Sequence, residues 1–250
     1  MNRQAEGCVY SECMRKISRI ELGALVCFGF LLTACQVNRL QEGPLQEATI
    51  SLDKGNVDHA NVELNINAGE LNLRDGTEQL IDGKFTFSVP DWKPRVRSST
   101  NGSRATITIE EPKGTHSFGH QRNVWNLQLN DKVLLDLALN CGAGQARLDL
   151  GGLNLRNATV HMGAGQVDLN LEGHPTRDYD VSISGGVGQA TVRLPHNVGI
   201  RAEAHKGIGS VTVTGLEQKN GAWENSLYDN AKVNVRLKVE SGIGEIRIIG

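Results

Sequence analysis

A nine-residue block that begins with Gly-x-Gly recurs along this chain and limits its possible folds more than any other feature. The block has the form Gly142-Ala-Gly-Gln-Ala-Arg-Leu-Asp-Leu150. Further copies start at Gly163, Gly186, Gly207 and Gly242, and an outlying copy spans residues 67–75. From Gly142 onward the starts are spaced 21, 23, 21 and 35 residues apart. Repetition at about 20 residues indicates stacked units, each of which buries its apolar edge against its neighbours.

The blocks alternate between apolar and polar residues. The fifth, seventh and usually ninth positions are apolar, while the sixth and eighth are mostly polar, which is the period of a half-buried strand. A second alternating run precedes each block, and the glycines allow close backbone approach at a corner between the two runs. Residues 36–250 show no helical period of useful length. The sequence therefore predicts an all-β stack whose unit is strand, Gly-x-Gly corner and strand.

The same alignment predicts which side chains share a column. The fourth block position holds Gln145, Gln166 and Gln189, whose amides could form a ladder between strands about 4.8 Å apart. A slip of one residue would turn every apolar column to solvent, so the register should be strongly specified. We expect Leu169 to lie inside and its neighbour Asn170 outside. The apolar columns are Ala146, Val167, Ala190 and Val211, followed by Leu148, Leu169, Val192 and Val213.

The first 34 residues read as a targeting segment. Basic residues follow Met14, an uncharged run covers residues 22–32, and Leu32-Thr-Ala-Cys35 ends the segment. This ending resembles the lipobox of bacterial lipoproteins. The resemblance implies removal of residues 1–34, lipidation of Cys35 and stable anchoring to a membrane. We expect translation to start at Met14, and Gln36 favours the outer membrane if the organism has one.

Composition shifts divide the remainder of the chain. Residues 35–55 are predicted to be the lipidated cysteine and a flexible tether. Residues 56–130 form a less regular β region, and residues 131–250 hold the solenoid repeats, interrupted by an insertion at residues 216–232. Trp223 and Tyr228 lie in that insertion. They form either an interaction loop or a cover over one end of the core.

These features together resemble a known family. The segments that carry the resemblance are Trp125-Asn-Leu-Gln-Leu-Asn130, Leu135-Asp-Leu and the Gly-Ala-Gly-Gln blocks. They are similar to the bacterial toast-rack domain, whose relatives include adhesin-like β-repeat proteins and cell-wall-active antibiotic response proteins. The resemblance covers about residues 57–250. It implies a right-handed β-solenoid-like stack at the cell envelope and no particular chemistry.

Motifs for cofactor and metal chemistry are not found in the sequence. A nucleotide loop needs a helix after its glycines, whereas strands follow here. His116 and His120 form the one close histidine pair, and we interpret it as a solvated loop because a metal site needs three or four converging ligands. Cys141 reads as a small buried hydrophobe. With a formal net charge of −2, the chain has no basic excess for nucleic acid. We therefore expect no cofactor, no metal and no nucleic-acid partner.

One pair of carboxylates keeps an enzymatic alternative open. Asp149 and Asp168 could approach each other on neighbouring strands, as two carboxylates do in a glycosidase. Arg147 lies beside Asp168, however, and mixed signs along a column favour a solvated face.

The sequence therefore predicts a lipid-anchored, non-enzymatic envelope protein. Its β-stack would act as a scaffold or as an adhesin-like module, with envelope proteins or cell-wall glycans as partners and with the ligand and oligomeric state left open. The alternatives are a surface enzyme acting on glycans and a regulatory partner of an envelope-stress signalling system.

Overall fold

The computed structural model describes residues 44–112 and 121–250, and residues 41–250 form one compact unit. The predicted signal peptide, Cys35 and the His116–His120 pair lie outside the described residues. The described part is all-β apart from a 3₁₀ turn at Pro90–Trp92, and it contains no helix long and apolar enough to span a bilayer. Its strands are β1 Gln46–Leu52, β2 His59–Asp75, β3 Ile81–Phe87, β4 Arg95–Asn101, β5 Arg104–Glu110, β6 Asn123–Leu129, β7 Leu134–Asp149, β8 Leu155–Asn170, β9 Tyr179–Arg193, β10 Gly199–Thr214, β11 Glu217–Lys219, β12 Ala222–Glu224 and β13 Asn234–Ile249.

The strands form one large mixed sheet that is mostly parallel. Its order is β1-β3-β6-β2-β7-β8-β9-β13-β10-β12-β11, with β5 and then β4 attached to β2. The six long strands β2, β7, β8, β9, β13 and β10 pair with one another in parallel. The shorter strands pair antiparallel, except where β5 and β6 join β2 in parallel.

Each repeat unit is one continuous strand that bends at its Gly-x-Gly corner. We call the part before the corner the first arm and the part after it the second arm. In β7, Leu139 and Cys141 are buried before the corner, whereas Ala146 and Leu148 are buried after it. Buried positions thus change from odd to even numbers across Gly144, whose φ is +134°. The bend lets both arms contribute to one continuous apolar core.

The predicted register is confirmed where the first three blocks meet. Gln145 lies opposite Gln166, and Gln166 lies opposite Gln189. Leu169 is fully buried, and its neighbour Asn170 points outward. The outlying copy in β2 also aligns, since Gly69 lies opposite Gly144.

The spatial order of the last two blocks differs from their chain order. Read along the sequence, the block at Gly207 would follow the block at Gly186. In the structure β13 lies between β9 and β10, so that Gly244 lies opposite both Gly188 and Gly209. The long connection between β10 and β13 contains the β11–β12 hairpin, which pairs with β10 at Arg201 and Ala202. A connection of this length can carry the chain back across β10.

Candidate binding face

The outward side chains of the second arms of β2, β7, β8 and β9, together with those of β1, β3 and β6, form one broad, concave and polar surface. It encloses about 880 Å³ and spans seven neighbouring strands, from β1 to β9. The right-handed twist of a sheet this wide curves its surface. We call this surface the concave polar face. Its outward side chains are Thr49, Ser51, Asn72, Arg74, Asp82, Lys84, Asn126, Gln128, Arg147, Asp149, Asp168, Asn170 and Arg193.

In-register pairing explains why this face is continuous. Successive strands place Lys84, Asn126, Asn72, Arg147 and Asp168 side by side in a single row. Because side chains alternate across a strand, every second residue of each strand belongs to the same face. The repeat pattern therefore determines a row of polar groups perpendicular to the strands.

The charges on and around this face are largely paired with one another. Arg193 Nη1 donates to Asp168 Oδ1 at 2.7 Å, and Lys84 Nζ lies 2.8 Å from Glu47 Oε1. Arg147 pairs with Glu70 on β2 rather than with Asp168 on the adjacent strand. Exposed pairs of this kind stabilise a fold only slightly, but they neutralise the surface locally. The face therefore offers hydrogen-bonding groups without a strong field of either sign.

Amides supply most of its uncharged hydrogen-bonding groups. Asn72 Nδ2 donates to Asn126 Oδ1 at 3.0 Å. Beyond the face, nearer the corners of β7 and β8, Gln145 Nε2 donates to Gln166 Oε1 at 3.2 Å. The second contact confirms the predicted amide ladder between the first two glutamines. An amide carries both donors and acceptors, so these residues can bond to each other and to an outside ligand at once.

Asp149 and Asp168 both lie on the concave polar face but belong to different hydrogen bonds. Asp168 pairs with Arg193, while Asp149 Oδ1 accepts from Asn170 Nδ2 at 3.1 Å. In the register Asp149 lies opposite Asn170, and Asp168 lies opposite Arg147, so the two carboxylates are diagonal neighbours. A glycosidase needs one carboxylic acid with a raised pKa. The ion pair of Asp168 with Arg193 and the hydrogen bond from Asn170 to Asp149 favour a structural role for both carboxylates.

The other side chains singled out in the sequence are spread over the domain. Trp223, on β12, is half-buried against the core beside β10, and Tyr228 lies in the turn after β12. Cys141 is buried, and burial raises the pKa of its thiol to about 11. Among the described residues, histidines, cysteines and carboxylates form no cluster that could hold a metal ion.

A buried histidine network on the first arms was not found by the sequence analysis. His59 Nε2 lies 2.6 Å from Asp136 Oδ2, and Arg104 Nε donates to His59 Nδ1 at 3.0 Å. Since a guanidinium only donates, Nδ1 must accept, which places the imidazole proton on Nε2. Burial acts to raise the pKa of Asp136, but hydrogen bonds from Arg156 and His59, together with the charge of Arg156, outweigh it and lower that pKa. The network fastens β2, β5, β7 and β8 together.

Glu111 is a second buried group that the sequence pattern did not reveal. It is 5% exposed, and its Oε2 accepts from the backbone N–H of Asn67 and from Asn123 Nδ2, both at 3.0 Å. Burial raises the pKa of this carboxyl, and the hydrogen bonds only partly oppose the shift. Asn123 Oδ1 in turn accepts from Trp125 Nε1. The Glu-Pro turn at this position gave the only sequence signal.

The fold and this face define a class of bacterial β-repeat domain in which bent parallel strands stack in register. The chain matches the N-terminal domain of toast_rack, DUF2154, over residues 41–193. That match covers more than half of the 250 residues. The chain therefore belongs to the toast-rack family, as the sequence resemblance predicted. A search of curated proteins finds no match.

One solved structure is closely similar. The crystal structure of a candidate cell adhesion protein from Clostridium sporogenes is 29% identical and has a TM-score of 0.77. The alignment covers 82% of this chain and 99% of that one. A candidate adhesin from Parabacteroides distasonis aligns at 13% identity over 82% of this chain and 98% of its own. A candidate adhesin from Bacteroides fragilis aligns at 9% identity over 81% of this chain and 97% of its own. Both have TM-scores of 0.26.

Proposed function

We propose that this chain is a non-enzymatic adhesion module of the cell envelope. The main support is the similarity to the candidate cell adhesion protein of Clostridium sporogenes, which extends over almost the whole of that chain. The in-register stack of strands would provide the rigid support for the binding surface. We include in this proposal the right-handed β-solenoid-like path and the surface location.

The concave polar face is the proposed binding surface. It is the broad outward surface of seven strands, and its amides and hydroxyls are interleaved with paired charges. Its outward side chains are three aspartates, three asparagines, one glutamine, three arginines, one lysine and two small alcohols. The concavity is also lined by Ile50, Leu73, Leu127 and Leu148, and by no aromatic residue of the described ranges. Such a surface suits an extended polar ligand, recognised by many hydrogen bonds rather than by one deep pocket.

Anchoring at Cys35 completes the proposal. Lipid chains on Cys35, which the lipobox resemblance implies, would tie the domain to a membrane. The sequence predicted that the segment up to residue 55 would be a tether holding the domain away from the membrane. Part of that segment belongs to β1, which begins at Gln46. The proposed tether is thus shorter than predicted and spans residues 36–45.

Adhesion is tested by expressing the full chain on cells that lack it. The probes are isolated cell-wall glycan sacculi, assayed by co-sedimentation, and other cells, assayed by aggregation. We expect cells with the chain to retain more of at least one probe than cells with an empty vector. If cells that display the chain retain no more of either probe than cells with an empty vector, the adhesion proposal is contradicted.

A glycan-acting enzyme remains a second candidate because Asp149 and Asp168 lie on the same concave face. The double variant Asp149→Asn/Asp168→Asn separates the two functions. A binding module should release no reducing ends from sacculi, either as the parent chain or as this variant. Release by the parent that the variant loses would favour the enzyme.

A further inference from the structure

The stack of long strands has an open end at the second arm of β10. One side of β10 pairs with β13 along its whole length. On the other side, β12 pairs only with Arg201 and Ala202 of the first arm. No strand in the described ranges pairs with residues 203–214 on that side. Within the described ranges, the β11–β12 hairpin thus covers the start of the first arm and leaves the second arm without a neighbour on that side.

Burial of equivalent side chains agrees with the absence of a neighbouring strand there among the described residues. Val167 and Leu169 of β8 are buried, as are their counterparts in β9 and β13. Val211 and Val213 occupy the same block positions in β10 but are only half-buried, although they pack against the same core. One more strand beside β10 would cover them as β13 covers its neighbours.

The corner of the stack is also more apolar at this end. The residue between the two glycines is alanine in β7 and β8, but Val187, Ile243 and Ile208 in β9, β13 and β10. These three lie side by side and are 53%, 49% and 70% exposed. An uncovered edge with exposed apolar side chains is a typical site for addition of another strand.

The composition of this edge favours a second copy of the same chain. Residues 207–214 read Gly-Ile-Gly-Ser-Val-Thr-Val-Thr, without charge and without proline. Natural edge strands usually avoid pairing by means of lysine, proline or inward-pointing charge, and this segment has none of these. Two copies of this uncharged segment could therefore pair without repulsion between charges.

Symmetry determines how two such edges can meet. A two-fold axis perpendicular to the sheet, passing at Val211, makes the two strands antiparallel. It places Ser210 opposite Thr212 of the partner copy and keeps both sets of valines on the core side. A two-fold axis parallel to the strands would instead turn one core face outward. We propose that the chain dimerises through antiparallel pairing of residues 208–214 of β10, which joins two sheets into one.

Cysteine cross-linking tests this register. Opposite residues in antiparallel strands have Cα atoms about 4.5–5.5 Å apart, within the range of a disulfide. Ser210→Cys/Thr212→Cys should give a disulfide-linked dimer when membranes holding the full chain are mildly oxidised. The matched control is Gln189→Cys/Thr191→Cys, at the same block positions but two strands inside the sheet. The parent chain, oxidised in the same way, shows any cross-linking that arises from the native cysteines, of which Cys141 is buried.

Charge exchange provides an independent test. Ser210→Asp/Thr212→Asp would place carboxylates directly opposite each other in the dimer, and like charges in that position destabilise pairing. We expect this variant and Ser210→Lys/Thr212→Lys each to weaken dimerisation at least about tenfold, and a mixture of the two to restore it. Light scattering of the detergent-solubilised full chain measures the mass, and thermal melting verifies that each variant is folded.

The outcomes are distinct. Cross-linking at β10 but not at the control positions, with restoration in the mixture, supports the dimer. A monomeric parent chain at all accessible concentrations, or cross-linking that is equal in the control, overturns it. A dimer that neither charge variant weakens also overturns it, because that dimer must use another surface.

Discussion

Gly165 lies against the backbone of Gly144 on the neighbouring strand. A Cβ atom added to Gly165 would lie 1.9 Å from the carbonyl oxygen of Gly144. The same close approach recurs at Gly188 on Gly165 and at Gly244 on Gly188. The second glycine of each block is therefore required by two conditions, its positive φ and the absence of room for any side chain.

The first prediction separates these two conditions. Gly165→Ala should lower the free energy of unfolding by more than about 3 kcal/mol, since strain at positive φ adds to overpacking against backbone. Gly102 also has a positive φ, +61°, but has open space around it. Gly102→Ala should therefore cost only about 1–2 kcal/mol. Urea unfolding of both variants measures the difference, and similar losses would contradict the close stacking of corners.

The second prediction concerns the two faces of β8. Leu169→Ala should cost about 2–5 kcal/mol because it leaves a cavity in a fully buried column. Asn170→Ala should cost about 1 kcal/mol or less, since it removes outward hydrogen bonds with Asp149 and Glu172. Chemical denaturation compares the two. Equal losses would mean that the register described above is wrong.

The third prediction uses the buried carboxyl of Glu111. Because its pKa is raised in the folded protein, its protonated form is favoured by folding. This contribution to stability is present in full below the ordinary glutamate pKa, near 4.5, and is lost as the pH rises through the raised value.

Glu111→Gln removes this titration. The free energy of unfolding of the parent, relative to that of the variant, should therefore be largest at about pH 4 and should fall as the pH rises. Glu63→Gln serves as a control for general effects of losing a carboxylate. A difference between parent and Glu111→Gln that stays constant across this range would exclude the inferred ionisation.

The fourth prediction concerns the anchor. Cys35→Ala should abolish labelling of the chain by a palmitate analogue and should alter processing of the precursor. Cys141→Ala is the matched control because Cys141 is buried in the folded domain. Labelling that survives in Cys35→Ala would exclude this cysteine as the lipidation site.

The sequence predicted the repeat unit and its register because both follow from local periodicity. Gln145 and Gln166 could be aligned from the Gly-x-Gly spacing alone, and they meet in the structure. The position of β13 between β9 and β10 could not be inferred. All blocks have similar faces, so the sequence does not tell which of two neighbours a strand will choose, and long-range packing decides.

For the concave polar face, the sequence predicted which residues point outward but not which residues they contact. Asp149 and Asp168 were identified as outward residues, because alternation places them on the polar side. Their partners depend on contacts 21 to 25 residues away in sequence, namely Asn170 with Asp149 and Arg193 with Asp168. The contribution of β1, β3 and β6 to the concave polar face could not be predicted, since these strands carry no repeat block. They join the face because β6 pairs with β2, β3 with β6, and β1 with β3.

The central claim is that adhesion occurs through the concave polar face, and a paired set of variants tests it most directly. Asn72→Ala/Asn126→Ala removes two outward amides from the middle of the face, while Asn157→Ala/Thr159→Ala removes outward polar groups from the first arm of β8. Both should leave the melting temperature nearly unchanged.

The measurement is retention of sacculi or of other cells by cells that display each full-length variant at equal amounts. The account predicts that retention falls several-fold for Asn72→Ala/Asn126→Ala and stays at the parent level for Asn157→Ala/Thr159→Ala. Parent-level retention by the concave-face variant, or an equal loss in both, would contradict it.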